Sequence, residues 1–357
     1  MLKKIAIIAN LLAALGLIFV HFSANVNPLD FWLFAFFGLG FPLILALCIL
    51  FAVLWLFSKN KWFSLISLSA LLITWSSNLT VFQISFPSQA TEEISLISWN
   101  VKNFDLYNWS GNQNTRNEMM AVLEENRPDI LCLQEFYTED IGTFTNLEDI
   151  KKKLDYKYHY FAKTFTKSGT RHWGMVIFSK FKIVDTGKLT FVKGTRLNTC
   201  IYVDLAVSDV QTIRVYNVHF QSNQLSEEDY SYLESLDDND GTYSAMGILK
   251  KLKNGYMKRA EQVLQVQESK NSSPYPSIIC GDFNDTPVSF TYKTLSKNMQ
   301  DAFIEKGNGF GKTYVNPSPF LRIDFALFHP MFRINEYKEL DEVALSDHFP
   351  IQVQFSY

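Results

Sequence analysis

The chain has 357 residues, 33 basic and 36 acidic side chains, a formal net charge of −3 and 47% hydrophobic residues. That composition excludes a disordered, collagenous or disulfide-scaffold protein. The average conceals two unlike parts: residues 1–85 hold five charged side chains (Lys3, Lys4, Asp30, Lys59 and Lys61), whereas the remainder holds 64.

Three apolar stretches follow one another at the N-terminal end, about 5–22, 31–57 and 62–84. A helix of about 20 residues crosses the hydrocarbon core of a bilayer, so about three transmembrane helices are expected in an anchor spanning 1–85. The first stretch is marginal in length and contains Asn10. Its Lys3-Lys4 start and Ser23-Ala24 end also fit a cleaved signal peptide. Pro42 in the second is tolerable where neighbouring groups satisfy the freed carbonyl. Lys3 and Lys4 precede the first stretch, and Lys59 and Lys61 lie between the second and third. The loop between the first two has Asp30 and no Lys or Arg. The positive-inside rule then puts the N-terminus and the second loop in the cytoplasm. Three crossings leave the rest of the chain outside the cell (inner) membrane; an even number would leave it in the cytoplasm.

From about residue 93 short β-rich runs alternate with helical patterns. Strands are expected at Ile94–Trp99, Ile130–Gln134, Tyr158–Ala162, Met175–Ser179, Cys200–Leu205, Ile213–Phe220, Ser277–Gly281, Ile323–Phe328 and Ile351–Phe355. Helices are expected at Asn114–Glu125, about Tyr243–Glu268 and Ser289–Leu295. So many strands, several joined by short loops, point to two packed sheets with helices outside, and residues 90–357 read as one soluble domain. Cys132, Cys200 and Cys280 lie in apolar runs, Cys48 lies in the second stretch, and no CxxC spacing occurs; these read as small buried hydrophobes. The acidic run Ser226–Asp240 reads as a solvated loop. Residues 86–357 carry 29 basic and 35 acidic side chains, net −6, the wrong sign for a bulk nucleic-acid binder.

Acids, amides and histidines recur at the ends of these strands, where α/β architectures place their sites. Asn100 closes the first strand. Glu135 closes the second (Ile-Leu-Cys-Leu-Gln-Glu) as an oxygen ligand suited to a hard divalent cation. Arg171 opens a strand and offers a bidentate phosphate donor. Asn217 and His219 share one face of their strand. Asp282 and Asn284 follow an apolar strand through Gly281, an acid beside an amide that suits a bound water and a phosphate oxygen. Asp324 opens a strand, and Asp347-His348 precede the last; a carboxylate beside that imidazole would fix its tautomer and raise its basicity.

The order NxxN, QE, GMVIFSK, NxHxQ, GDFND, RID and SDHxP resembles the endonuclease/exonuclease/phosphatase superfamily over about residues 93–357. The resemblance implies a four-layer α/β sandwich, two packed mixed β-sheets flanked by helices. It implies Glu135 as principal Mg²⁺ ligand (Mn²⁺ as substitute), with Asn100 beside it and Asp347 near the metal. Asp282 would orient or deprotonate the attacking water. Asn284 would hold a phosphate oxygen, His219 would meet the phosphate or leaving oxygen, and Asp324 would pair with His348. Arg171 and Asn217 would contact substrate. The general base is left open between Asp282 and the His348–Asp324 pair. The implied reaction is in-line attack of water on a phosphate ester of a nucleic acid, a phospholipid or a small molecule. A catalytically silent, membrane-tethered binding module is the competing class, and no specific protein partner follows from the sequence.

Overall fold

The computed structural model describes residues 1–86, 88, 93–191, 198–223, 229, 245–315, 321–341 and 344–357. All but Asp229 of the expected acidic loop 226–240 therefore lies outside the described residues.

Twelve strands among the described residues form two six-stranded mixed sheets. The first holds β1 (Ile94–Asn100), β2 (Ile130–Glu139), β3 (Tyr158–Lys167), β4 (Arg171–Ser179), β11 (Arg333–Glu339) and β12 (Ile351–Ser356), in the order β11-β12-β1-β2-β4-β3. The second holds β5 (Lys182–Leu189), β6 (Thr199–Ala206), β7 (Thr212–His219), β8 (Ser277–Asp282), β9 (Gln300–Asp301) and β10 (Asp324–Phe328), in the order β5-β6-β7-β8-β10-β9. Each sheet has one parallel pair at its centre, β1 with β2 and β7 with β8, and antiparallel neighbours on both sides.

The period of two explains the layers. Leu96, Cys132 and Ile177 of the first sheet meet Val203, Val215 and Ile278 of the second in one core. Their sequence neighbours Ile97, Leu131 and Leu133 face the other way, onto Met119, Met120 and Leu123 of α6 (Thr115–Asn126) and Ile150 and Leu154 of α7 (Asn146–Leu154). On the outer side of the second sheet, Tyr216 Oη lies 3.1 Å from Ser269 Oγ near the end of α8 (Ala245–Asn271). The expected sandwich of helix, sheet, sheet and helix is thus present. All four cysteines are buried and free, as expected.

The chain's contacts divide it into two units. One comprises Phe82–Phe220, Gln265–Asp285 and Leu295–Tyr357 and contains both sheets. The other comprises Met1–Val81, Gln221–Leu264 and Thr286–Thr294. The second unit therefore includes two segments that a linear division at residues 85–90 assigns to the soluble part.

Within that second unit, α1 (Leu2–Ser23) precedes a continuous helical stretch, Pro28–Leu56. That stretch is built from α2 (Pro28–Phe31), a 3-10 segment (Trp32–Gly40) and α3 (Phe41–Leu56). Both are long and apolar enough to cross a membrane. Pro42 falls in the first turn of α3, where its missing N–H breaks no helical bond. The third expected span is divided into α4 (Ser64–Ile73) and α5 (Trp75–Asn78). At the break Thr74 Oγ1 donates to Ala70 O and Asn78 Nδ2 donates to Leu71 O, so side chains compete for the carbonyls. Asn10 is fully buried, donating to Phe63 O at 2.9 Å and accepting from Ser67 Oγ, which answers its polar demand inside the bundle. Ile8, Leu12, Leu43 and Leu72 stay exposed. Leu17, Val20, Phe41 and Leu45 enclose a core that includes Val288, and a Cβ on Gly38 would stand 3.1 Å from Thr286 Oγ1. Ile248, Leu252 and Tyr256, one face of α8, pack on Ala35 and Phe36.

Candidate functional site

Strand register assembles the site. The parallel pairing of β7 and β8 sets His219 opposite Asp282, and the antiparallel pairing of β8 and β10 sets Asp282 opposite Asp324. In the other sheet the pairing of β1 and β2 sets Asn100 opposite Gln134, next to Glu135. β1, β7 and β8 end in Asn100, His219 and Asp282, whereas β2 runs on past Glu135 to Glu139 and does not close there as expected; the start of β10 and the approach to β12 add Asp324 and His348.

The side chains meet across the two sheets. Asn100 Nδ2 donates to Glu135 Oε1 at 3.3 Å and to Asp282 Oδ2 at 3.1 Å. His219 Nε2 lies 3.6 Å from Glu135 Oε1 and 3.7 Å from Asp282 Oδ2. His348 Nδ1 is 2.8 Å from Asp324 Oδ2, while its Nε2 is 3.7 Å from Asp282 Oδ2. The sequence-derived residues Asn100, Glu135, His219, Asp282, Asp324 and His348 are brought together. Asp347 adjoins them and makes a 3.0 Å ion pair with Lys102.

Local backbone strain positions several of these groups. A bulge between Leu133 and Phe136 carries Glu135 at φ +48°, and Asn284 sits at φ +54°. Non-glycine residues rarely adopt this region, and where they do the surroundings must over-determine it. Gly281 is required: at φ +133° a Cβ would stand 2.1 Å from Val218 O. After Asn100 the chain makes a left-handed turn with Lys102, Asn103, Phe104 and Asp105 all at φ between 41° and 57°. Buried Phe104, edge-on to Phe136 at 5.6 Å, anchors the turn. Asn100 Oδ1 accepts the Lys102 N–H at 3.1 Å. Ser346 Oγ donates to Asn100 O at 2.8 Å and Trp99 Nε1 to His348 O at 3.0 Å, fixing the loop before β12 to the end of β1. Lys102 and Ser346 are the site residues that sequence reasoning missed.

Burial raises Asp282 to about 6, with His348 opposing and Asp324 adding to the rise. Burial and nearby Asp347 raise Glu135, although its side chain keeps 30% exposure. Burial lowers His219. Burial opposes the charged form of His348 too, but Asp324, Asp282 and Asp347 outweigh it and raise that imidazole to about 10. Burial would raise Asp347, yet His348 and Lys102 reverse the sign and lower it.

Three sequence expectations, for Asn217, Arg171 and Asn284, need correction. Asn217 is fully buried and fully engaged. Its Nδ2 donates to Leu133 O and Val176 O, each at 3.1 Å, and its Oδ1 accepts from Gln134 Nε2 at 2.7 Å. It ties the two sheets together and has no group left for a substrate. Arg171 is exposed and lies 3.9 Å from Glu139, its cross-strand neighbour. Glu139 is four residues, about 13 Å, along β2 from Glu135, so Arg171 is not drawn into the cluster. The amide protons of Asn284 go to Phe220 O and Asp282 Oδ2, each at 3.0 Å, so it holds the carboxylate directly.

The donor set suits a hard cation. Glu135 and Asp347 offer carboxylate oxygens, and the proton affinity that burial and Asp347 confer on Glu135 is what a divalent ion would relieve. Oxygens of Asp282 and Asp324 and a ring nitrogen of His348 also lie within 4.8 Å of one another. There Asp324 Oδ2 holds His348 Nδ1 at 2.8 Å and leaves Nε2 facing Asp282, so this trio reads as an oriented imidazole.

Residues 97–348 match the model of the Endonuclease/Exonuclease/phosphatase family, and residues 3–81 match a Domain of unknown function (DUF8431). Similar solved structures include humanized D. rerio TDP2, at 16% identity and TM-score 0.52 over 74% of this chain and 99% of that one. An endonuclease/exonuclease/phosphatase family protein of Bacteroides thetaiotaomicron gives 16% and 0.54 over 74% and 98%. The mannosyl-6-phosphatase of Bacteroides thetaiotaomicron gives 18% and 0.51 over 74% and 100%. At these identities the likeness is one of fold. No curated protein matches the chain.

Proposed function

The chain belongs to the endonuclease/exonuclease/phosphatase family, and from that premise we propose that it is a membrane-anchored, Mg²⁺-dependent phosphoesterase. The observation that carries this reading is the convergence of Glu135, Asp282, His219 and the His348–Asp324 pair across the two sheets.

In this reading Glu135 holds the metal, with Asp347 near it and Asn100 steadying the Glu135 carboxylate. When bound, Mg²⁺ (or Mn²⁺) supplies positive charge to the phosphoryl oxygens. Asp282 is the base. Its carboxylate is oriented by Asn100, by the Asn284 side chain and by the Asn284 N–H at 2.8 Å. A proton affinity near neutrality suits it to take a proton from water. His219 and His348 each present Nε2 at 3.7 Å from Asp282 Oδ2, converging where a phosphoryl group would sit. Asp324 fixes the His348 ring through Nδ1, so its Nε2–H donates to an oxygen that gains charge during the displacement. Preorganised donors of this kind contribute about 10²–10³-fold each.

The two long apolar helices support placement in the cell membrane, and the Lys3, Lys4, Lys59 and Lys61 pattern supports an extracytoplasmic catalytic domain. The net charge of −6 over residues 86–357 disfavours bulk nucleic acid and leaves phospholipid or small phosphate esters in front.

The test uses the full chain in detergent with Mg²⁺, offered DNA, RNA, phospholipid and small phosphate esters. Cleavage of one class is expected, abolished by EDTA and restored by Mg²⁺ or Mn²⁺. Glu135→Gln and His348→Ala should each reduce the rate about 10²–10⁴-fold. Absence of metal-dependent cleavage of every class would leave the silent binding module as the better reading.

A further inference from the structure

The helix expected at about 243–268 belongs, through residue 264, to the same compact unit as the apolar N-terminal helices. From Ala245 to Ala260 it carries Lys250, Lys251, Lys253, Lys258 and Arg259 and no acidic residue, in a chain of net charge −3. Arg259 is buried and donates to Gln221 O, and Lys251 pairs with Asp229. Lys250 is exposed, and Lys253 and Lys258 are half-buried.

The depth of this helix follows from what its other face touches. Ile248, Leu252 and Tyr256 pack on Ala35 and Phe36, and Lys253 Nζ stands 4.7 Å over the Trp32 ring. Residues 32–40 are the 3-10 segment of the 29-residue stretch Pro28–Leu56. At about 2.0 Å per 3-10 residue and 1.5 Å per α residue that stretch runs roughly 48 Å, well beyond the about 30 Å of hydrocarbon. Phe41–Leu56 alone runs about 24 Å, so about three residues of the 3-10 segment complete a crossing, and the part that holds Trp32, Ala35 and Phe36 falls at the headgroup level, where Trp commonly sits. A basic helix packed there by its apolar face presents its lysines to lipid phosphates.

Resting on the membrane-anchor reading above, we propose that residues 245–258 form a headgroup-level helix that binds anionic phospholipid through Lys250, Lys253 and Lys258. Three lysines near an anionic surface give a preference on the order of 100-fold over a zwitterionic one.

Hydrogen exchange of the full chain tests this in nanodiscs of phosphatidylcholine, with and without added phosphatidylglycerol. Exchange over 245–258 is expected to slow at least about tenfold when the anionic lipid is present. The variant K250Q/K253Q/K258Q should lose that difference, while exchange of Ile94–Asn100 stays constant as a control for the fold. Equal exchange in both discs, or a difference that survives the triple variant, would overturn the proposal and leave the anchor intact. Equal slowing by inorganic phosphate in phosphatidylcholine discs would also overturn it, assigning the lysines to a free anion. A chain that enters neither disc would overturn the anchor itself, and this inference with it.

Discussion

Glu339, a partly buried acid, contributes to the pH response of the sandwich. Burial, the largest influence, raises its pKa from 4.5 to about 7. A carboxyl group with a raised native pKa binds its proton more tightly in the folded state. Its protonated form therefore favours folding, and stability falls as pH rises from about 4.5 through about 7. Glu339→Gln is expected to stabilise the chain at pH 8 by about 2 kcal/mol, discounted for partial exposure, and to change little at pH 4.5. Thermal unfolding at the two pH values checks this; an equal effect at both would show that the charge is not responsible. At the same scale, His219, Asp282, Asp324 and His348 are legible in the sequence because each adjoins an apolar run that ends in a polar group. Lys102 stays hidden because its approach to Asp347 depends on four consecutive left-handed residues, and no local pattern announces that turn. Asn217 lies on the expected face of its strand but serves the fold instead of a substrate, because facing inward there means facing the other sheet.

Among the elements, the central strands are legible and the edges are not. β5, β9 and β11 escape sequence reading, and all three are edge strands. β5 shows why: Lys182, Asp185 and Lys188 interrupt it, and much of it is exposed. Charge on an edge protects against unwanted pairing and erases the apolar pattern at the same time. β3, the fourth edge, is legible only in its half-buried first part, and its last residues are exposed. The centre is joined differently, through Asn217. Asn217→Ala removes two donated bonds and one accepted bond between β7 and the β2–β4 pair. Leaving those buried partners unsatisfied is expected to destabilise the chain by about 2–4 kcal/mol. A denaturation midpoint that does not move would show that water replaces the amide without loss.

At the level of the whole molecule, composition sets residues 1–85 apart by their scarcity of charge, and the compact unit that holds residues 1–81 also takes in residues 221–264 and 286–294. Ile248, Leu252, Tyr256 and Val288 lie far along the chain, yet they pack among residues of the N-terminal helices. The spacing of the first three reads as a plain amphipathic helix; what covers its apolar face is not local information. Deleting residues 1–85 should uncover these four side chains. At about 1.5–3 kcal/mol each, the loss rivals the about 5–15 kcal/mol that stabilises a typical domain. Residues 90–357 alone are expected to aggregate where the full chain in detergent elutes as a single species. A monodisperse, cooperatively folding fragment in size-exclusion and melting experiments would refute that.

The packing of Val288 among Leu17, Val20 and Phe41 also has a consequence in time. A chain emerges from the ribosome N-terminus first, at about 5–20 residues per second. Roughly 250 residues separate Phe41 from Val288, so about 12–50 s pass between the synthesis of one half of this contact and the other. Throughout that interval the first helices lack part of their final enclosure, and contacts this distant in sequence form late. Biogenesis of the bundle therefore ends only after the strand bearing Asp282 has been made, and a stalled or truncated chain presents an incompletely enclosed helical bundle to the cell's quality control.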